Sequence, residues 1–382
     1  MPIAIVDDTA QVSAYAPAFI ESQFQSALRL IDGGQAQVAV PILQELYKET
    51  ASNRIRLELA RALAFSGQYR EARRLFVDAY KSNPPPAVKL TILRFVDQID
   101  LRRGKFTFSA SATRISNPLS QPDALQVFFL GTPFTIQLSQ EDRNLSGIVL
   151  NAGYERVFSN GYSIRAIASH REMPKHPNAD LTSGDISVGK QIATKPLEIR
   201  AGFQFQHMAN QSSNMPYAEI GYRKELTPAI DIQPRLQVGY YTFHGGAGLS
   251  GMSYRAHVPV TYSPKPTLGL SIGPRIEFRD TAFAEQRFVS AGLALDAAYT
   301  GKHFAVSATA FPYTTQFWAI DPFWGKRRSD KALFVGAVLS SDQLRVGGFI
   351  PTVSPYCGLN SSNIAYYKVN NCGINFGARK IF

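Results

Sequence analysis

Leu268-Gly269-Leu270-Ser271-Ile272-Gly273-Pro274-Arg275-Ile276-Glu277-Phe278-Arg279 is the stretch that decides the fold. Its even positions are apolar and its odd positions are Gly, Ser, Arg or Glu. Successive side chains of a strand point to opposite faces, so this strand has one greasy face and one small or charged face. The same alternation sets Leu197, Ile199, Ala201, Phe203 and Phe205 against Glu198, Arg200, Gln204 and Gln206. It returns with Ile230, Ile232, Leu236, Val238 and Tyr240 against Asp231, Gln233, Arg235 and Gln237. Strands of a soluble sandwich also alternate, but they average about five or six residues. These run to about ten, the length of a tilted strand that crosses a bilayer.

Composition agrees with that period. Of 382 residues, 45% are hydrophobic and only 18% charged, against roughly 25% charged in an ordinary globular protein. There are 25 Phe, 17 Tyr and 28 Gly, the mean hydropathy is −0.11, and no apolar run is long enough for a membrane helix. A membrane barrel has this profile, because lipid-facing and lumen-facing residues alternate and average out. The formal charge is +11. The bases are scattered, which argues against a nucleic-acid footprint and for an anionic membrane surface or an acidic polypeptide partner.

Connections alternate in length. Tight turns stand at Ser159-Asn160-Gly161, Thr194-Lys195-Pro196, Thr227-Pro228, Ser263-Pro264-Lys265-Pro266, Thr300-Gly301-Lys302 and Ser340-Ser341-Asp342. Longer polar or aromatic connections are expected around 115–144, 170–184, 208–214, 244–251, 280–284, 312–330 and 351–371. Thirteen connections imply fourteen strands, with strand texture also at Phe134–Leu138 inside the first connection. Short turns on one side and long loops on the other match periplasmic turns and outer loops. An even strand number returns both ends to one side, which puts whatever precedes the barrel in the periplasm.

Before Lys105 the period is helical. Apolar faces run Phe24, Ala27, Leu28, Ile31; Val40, Leu43, Leu46, Tyr47; Ile55, Leu59, Ala62, Leu63; and Ala72, Leu75, Phe76, Ala79. Gly34-Gln-Ala-Gln-Val-Ala39 parallels Gly67-Gln-Tyr-Arg-Glu-Ala72, 33 residues apart. A period near 34 with a turning Gly and a small Ala is the tetratricopeptide pattern, whose stacked helix pairs hold peptides on a concave surface; an ordinary helical bundle is the alternative. A last helix from Ala87 to about Arg103 caps the stack. The expected organisation is a flexible lead segment over 1–20, a periplasmic tetratricopeptide-like helical domain over 21–104, and an outer-membrane barrel over 105–382. The fold class is therefore α plus membrane β: the helical domain followed by a fourteen-stranded antiparallel transmembrane β-barrel. Met1–Asp8 has no basic start, apolar core or cleavage site. An outer-membrane protein requires an export signal, which leaves three alternatives: a processed leader, an upstream start, or a chain that is not an outer-membrane protein.

The last stretch puts Ile374, Phe376, Ala378 and Phe382 on one face. Phe376 and Phe382 form the terminal aromatic pattern that barrel-assembly machinery reads. A periplasmic tetratricopeptide domain fused to a fourteen-strand barrel resembles the surface lipoprotein assembly modifier family, also called the type XI secretion family. The resemblance covers about 21–382. It is carried most by Leu59-Ala-Arg-Ala-Leu-Ala-Phe-Ser-Gly-Gln-Tyr-Arg-Glu-Ala72, by Pro84-Pro-Pro-Ala-Val88, and by Ser362-Asn363-Ile364-Ala-Tyr-Tyr367 through Phe382. It implies an outer-membrane factor that moves lipoproteins or soluble haem- and metal-acquisition proteins. The short helical domain is a departure that leaves the client open.

No catalytic constellation is present, and no cofactor is expected. The six His (His170, His176, His207, His244, His257, His303) are dispersed. His170, Glu172 and His176 share one loop, where solvation is the simpler reading. Gly245-Gly246-Ala-Gly248 lacks the Lys and helix of a phosphate cradle, and no Gly-x-Ser-x-Gly elbow occurs. Cys357 and Cys372 are either free thiols or a disulfide in an oxidising compartment, and the disulfide is preferred. The expected lumen lining is Arg165, Arg200, Arg223, Arg235, Arg255, Arg275 and Arg345, with Glu155, Glu198, Glu219, Asp231, Glu277 and Asp296. That set reads as an ion-paired interior, as a slightly basic conduit for an extended polypeptide, or as both. Phe311, Tyr313, Phe317, Trp318, Phe323 and Trp324 are expected in a long loop, as an interfacial girdle or a plug. Three functions follow: a secretion conduit whose helical domain captures a client protein; a solute porin; or a surface receptor or adhesin working through its loops. Lipids and the assembly machinery are the remaining expected partners, and nucleic acid is not one.

Overall fold

The computed structural model describes residues 9–122, 124–129, 132–137, 143–192, 196–209, 211–245, 248–344, 346–347 and 349–380. The chain splits into two units, 1–103 and 104–382.

The first unit is helical: α1 (Thr9–Asp32), α2 (Ala36–Thr50), α3 (Asn53–Phe65), α4 (Tyr69–Lys81) and α5 (Pro86–Arg103). Helix α1 begins at Thr9, inside the stretch read as a lead segment. The 33-residue repeat is visible in the backbone. Gly34 and Gly67 both take positive φ, 77° and 82°, where glycine has no steric cost. Their turns make the same bonds: Gln35 N donates to Leu30 O at 2.8 Å and Gln68 N to Leu63 O at 2.8 Å. Ala39 and Ala72 are fully buried, and Leu43 and Phe76 occupy equivalent core positions. Helix α5 packs Ile92, Val96 and Ile99 inward. It stacks Phe95 on Phe76 at 5.0 Å and is tied to α4 by Arg73 Nε on Asp100 at 2.7 Å.

The second unit is a closed antiparallel barrel of fourteen strands. They are β1 (Lys105–Ile115), β2 (Leu145–Val157), β3 (Tyr162–Glu172), β4 (Leu181–Ile192) and β5 (Leu197–Met208). Next come β6 (Gln211–Tyr222, continuing as Lys224–Thr227), β7 (Ile230–Ile232 and Arg235–His244) and β8 (Gly251–His257 and Val260–Lys265). The wall is completed by β9 (Leu268–Thr281), β10 (Phe288–Thr300), β11 (Ala305–Asp321), β12 (Lys326–Ser340), β13 (Phe349–Ser362) and β14 (Val369–Lys380). Closure is direct, β1 against β14 from Ser109↔Arg379 to Ile115↔Gly373. The breaks in β7 and β8 fall at Pro234 and Pro259, which have no N–H to give the ladder. Their carbonyls still accept, from Tyr222 N at 2.9 Å and Gln233 N at 3.0 Å.

Several connections are shorter than their sequence suggests. Strands β11 and β12 are separated only by 322–325, so the expected loop over 312–330 is mostly strand. The expected loops over 208–214 and 351–371 shrink likewise, to 209–210 and 363–368. Proline and polar residues gave those stretches loop texture, but a strand whose inner face meets water tolerates both. The strand texture in the first connection is real but local: Ala124–Phe129 pairs with Thr132–Gln137 as a separate hairpin. The barrel count stays at fourteen. Tyrosines on the inner wall lie over glycines of the neighbouring strand. A Cβ at Gly202 would stand 2.5 Å from Tyr217 Cζ, and one at Gly373 2.6 Å from Tyr356 Cζ.

Candidate functional site: the barrel lumen

Register fixes which side chains share a face. The outward set is apolar although it is exposed: Ile186 at 55%, Ile199 at 49% and Ile272 at 50%, with Ile148, Ile220 and Leu236 alongside. A belt of this extent is what a hydrocarbon phase covers rather than water. Aromatics edge it at both ends. Near the longer connections Tyr254 stacks on Phe278 at 5.8 Å, and Trp318 meets Phe278 at a tilt at 5.4 Å. Tyr299 and Phe304 meet at 5.8 Å near the short turns. Among the described residues no helix is long and apolar enough to cross a membrane; the crossing elements are strands.

Much of the inward set is polar, and many of its charges are paired. Arg200 meets Glu198 and donates to Ser187 Oγ at 3.0 Å and Ser163 Oγ at 3.2 Å. Glu277 is held between Arg255 at 3.4 Å and Arg279 at 2.9 Å. Arg223 lies 3.8 Å from Asp231. Arg165 stands abreast of Glu155 and Ser187, and Glu219 abreast of Arg200 and Gln237. Asp296 stands between Ser271 and Thr309. Arg235 and Arg275 flank His257 across β7, β8 and β9. Arg345 and Phe382 lie outside the described residues, whereas Phe376 faces outward. Cys357 and Cys372 are bonded at paired positions of β13 and β14. His170 Nδ1 lies 2.9 Å from Thr182 Oγ1, and among the described residues no three metal-ligating side chains converge.

The aromatic cluster expected in a loop is instead divided by strand β11. Phe311, Tyr313 and Phe317 face the lumen with buried Thr315, whereas Trp318 joins the outward stack. Phe323 and Trp324 sit in the tight turn, where Asp321 Oδ1 accepts their N–H groups at 2.9 and 3.1 Å. The inward rings surround a cavity of about 630 Å³. Sequence reasoning missed three of its charged residues, Arg279, Arg328 and Asp330. Arg279 lies 4.4 Å from the Tyr241 ring and 5.1 Å from Phe288. Arg328 lies 4.5 Å from Phe317 and 3.5 Å from Tyr367, and it pairs with buried Asp330 at 2.6 Å. Guanidiniums over ring faces are attracted by the ring quadrupole, more so where water is sparse. Extending the period of β11 through Pro312 would have found the inward rings.

The first connection borders this region. Buried Asn117 donates from Nδ2 to Gln121 O at 2.7 Å and accepts Gln121 N at 3.0 Å. That turn puts Leu119–Pro122 beside Tyr313, Arg328 and Tyr367, around a further cavity of about 600 Å³. Tyr367 lies outside the strands. Burial pushes its phenol above the ordinary value, and Asp321 adds to the shift.

An apolar outer belt, aromatic edges and a paired, basic inner wall define a membrane-spanning β-barrel that follows a helical domain. No protein-family model matches the chain, and no curated relative matches it. Among solved structures it is similar to a bacterial polysaccharide outer membrane secretin, at 11% identity and TM-score 0.40, over 72% of this chain and 98% of that one. It is also similar to a Pseudomonas aeruginosa FadL homologue, at 9% identity and TM-score 0.40, over 77% and 91%. A third is the CymD monoaromatic hydrocarbon channel, at 9% and 0.39, over 78% and 91%.

Proposed function

We propose that this protein is an outer-membrane conduit for a client polypeptide, as its sequence resemblance to the surface lipoprotein assembly modifier family implies. The client is a surface lipoprotein or a secreted haem- or metal-acquisition protein. The helical domain, read as tetratricopeptide-like and periplasmic, captures the client and presents it to the barrel. Phe376 and Phe382 serve the barrel-assembly machinery. One observation carries this reading: a helical repeat of 33 residues continues, through Gly104 alone, into the first strand of a barrel with a charged inner wall. A pore for small solutes has no need of such a repeat. Directionality comes from folding of the client outside, without nucleotide hydrolysis.

Deleting residues 21–104 tests it. Surface display of a co-expressed client should be lost while the barrel still inserts, and undiminished display would sink the idea. The second reading, a solute porin, is favoured by the polar inner wall; a stable open conductance for small ions in planar bilayers would support it over a gated conduit. Loop-mediated ligand binding without any client would favour a receptor or adhesin.

A further inference from the structure

Three arginines and two acids line the 630 Å³ cavity: Arg275, Arg279, Arg328, Glu277 and Asp330. Glu277 is engaged by Arg255 and Arg279, and Asp330 by Arg328. Arg275 is exposed to the lumen and, among the described residues, has no carboxylate at ion-pair distance. The same holds for Arg235. Register puts the two on one row with His257 between them, and His257 Nε2 is buried without a hydrogen-bond partner. The row continues to Gly292 and Tyr313. Because Gly292 has no Cβ, Phe311 leans over it, 3.0 Å from where a Cβ would stand, and its ring comes within 5.4 Å of the Arg275 guanidinium.

The two arginines stand on strands two places apart, so at roughly 4.8 Å per strand their backbone positions are about 10 Å from each other. An unfolded segment in the polyproline II conformation, with about three residues per turn and about 3.1 Å per residue, puts every third side chain on one face at about 9 Å. A guanidinium binds a carboxylate through two parallel N–H donors, and rings beside it favour an apolar or planar flank. We propose that Arg235 and Arg275 form a carboxylate-binding station for an extended acidic segment of a polypeptide, with the Phe311 and Tyr313 rings holding its flank. This rests on the conduit reading only for where such a segment comes from.

The test uses the full chain refolded in detergent and a labelled dodecapeptide of Gly and Ser with Glu at every third position. The control peptide carries Lys at those positions, and 4-phenylbutyrate stands for free organic acids. The Glu peptide should bind and the Lys peptide should not, and added salt should weaken binding. Arg235→Gln and Arg275→Gln should each weaken it at least about tenfold. Their folding is checked by heat-modifiable gel mobility, and the peptide and salt arms need only the unaltered protein. Equal binding of both peptides, no binding of the Glu peptide, no loss in a folded variant, or phenylbutyrate binding as tightly as the peptide would each overturn the station. No client is present in this experiment, so it can succeed where the helical-domain deletion fails, and the reverse.

Discussion

Glu277 shows how single residues set the character of the inner wall. Its carboxylate lies between Arg255 and Arg279, and all three side chains are less than a quarter exposed. Replacing it with Gln leaves two guanidiniums facing each other without a counter-charge, in a region where water screens them poorly. Glu277→Gln should therefore lower the stability of the folded barrel by about 1–3 kcal/mol. The measurement is the urea midpoint of the folded band in detergent; an unchanged midpoint would mean that lumen water already solvates the pair. Tyr367 gives a pH prediction at the same scale. Burial, and then Asp321, raise its phenol above the ordinary value of 10.0, and its hydroxyl donates to Asp321 Oδ2 at 3.4 Å. A raised pKa in the folded state favours the neutral form. Its stabilising contribution is thus fully present below pH 10 and is lost as pH rises through the folded value. Unfolding followed between pH 8 and 12 should show that loss in the unaltered protein, and Tyr367→Phe should flatten it.

Elements show what pattern alone conveys. The strand period was legible in Leu268–Arg279 because each inward residue there is small or charged and each outward one apolar. It was illegible in β11, where Phe311, Tyr313 and Phe317 face inward and Pro312 interrupts the texture. Alternation separates two faces, but it cannot say which face is the lumen when both carry aromatics. The helical repeat was legible for another reason. Gly34 and Gly67 take positive φ, and Ala39 and Ala72 are fully buried between the helices. Ala72→Leu should force the α4 crossing apart, at about 1–3 kcal/mol. Limited proteolysis of the full chain should then cut faster within 9–103 while the barrel fragment persists, and unchanged cleavage would mean that the crossing tolerates the added volume. The pairing of Cys357 with Cys372 belongs to this scale as well. It bridges paired positions of β13 and β14 across a sequence separation of 15. Closing a loop of that size restricts the unfolded chain by about 3 kcal/mol at most. A Cys357→Ser, Cys372→Ser variant should close the same barrel and convert to the unfolded band at lower temperature, and reductant should have that effect only on the unaltered protein.

At the scale of the whole molecule, one question governs the rest: what covers the outward face. Strands β2, β4, β5, β6, β7 and β9 each expose an aliphatic side chain there, Ile148, Ile186, Ile199, Ile220, Leu236 and Ile272. Apart from Val149 beside Ile148, the inner positions next to them are Ser, Gly, Gln or charged residues. In water such a barrel would hide neither set, and a charge introduced on either face would be equally harmless. In a bilayer the two faces differ sharply. A lipid-facing Arg near the midplane costs about 2–4 kcal/mol, whereas lumen positions tolerate charge. Ile272 and Ser271 are adjacent on β9 and face opposite ways, so depth and strand are held constant between them. Ile272→Arg should lower the free energy of folding into short-chain phosphatidylcholine vesicles by about 2–4 kcal/mol. Ser271→Arg should change it by less than about 1 kcal/mol. Urea titrations of both variants, read by gel mobility, give the two numbers. Equal effects would contradict a membrane-facing belt, and with it every function that requires passage through this barrel. An effect confined to Ile272 would fix the wall's polarity, and Arg235 and Arg275 would then stand on its aqueous side.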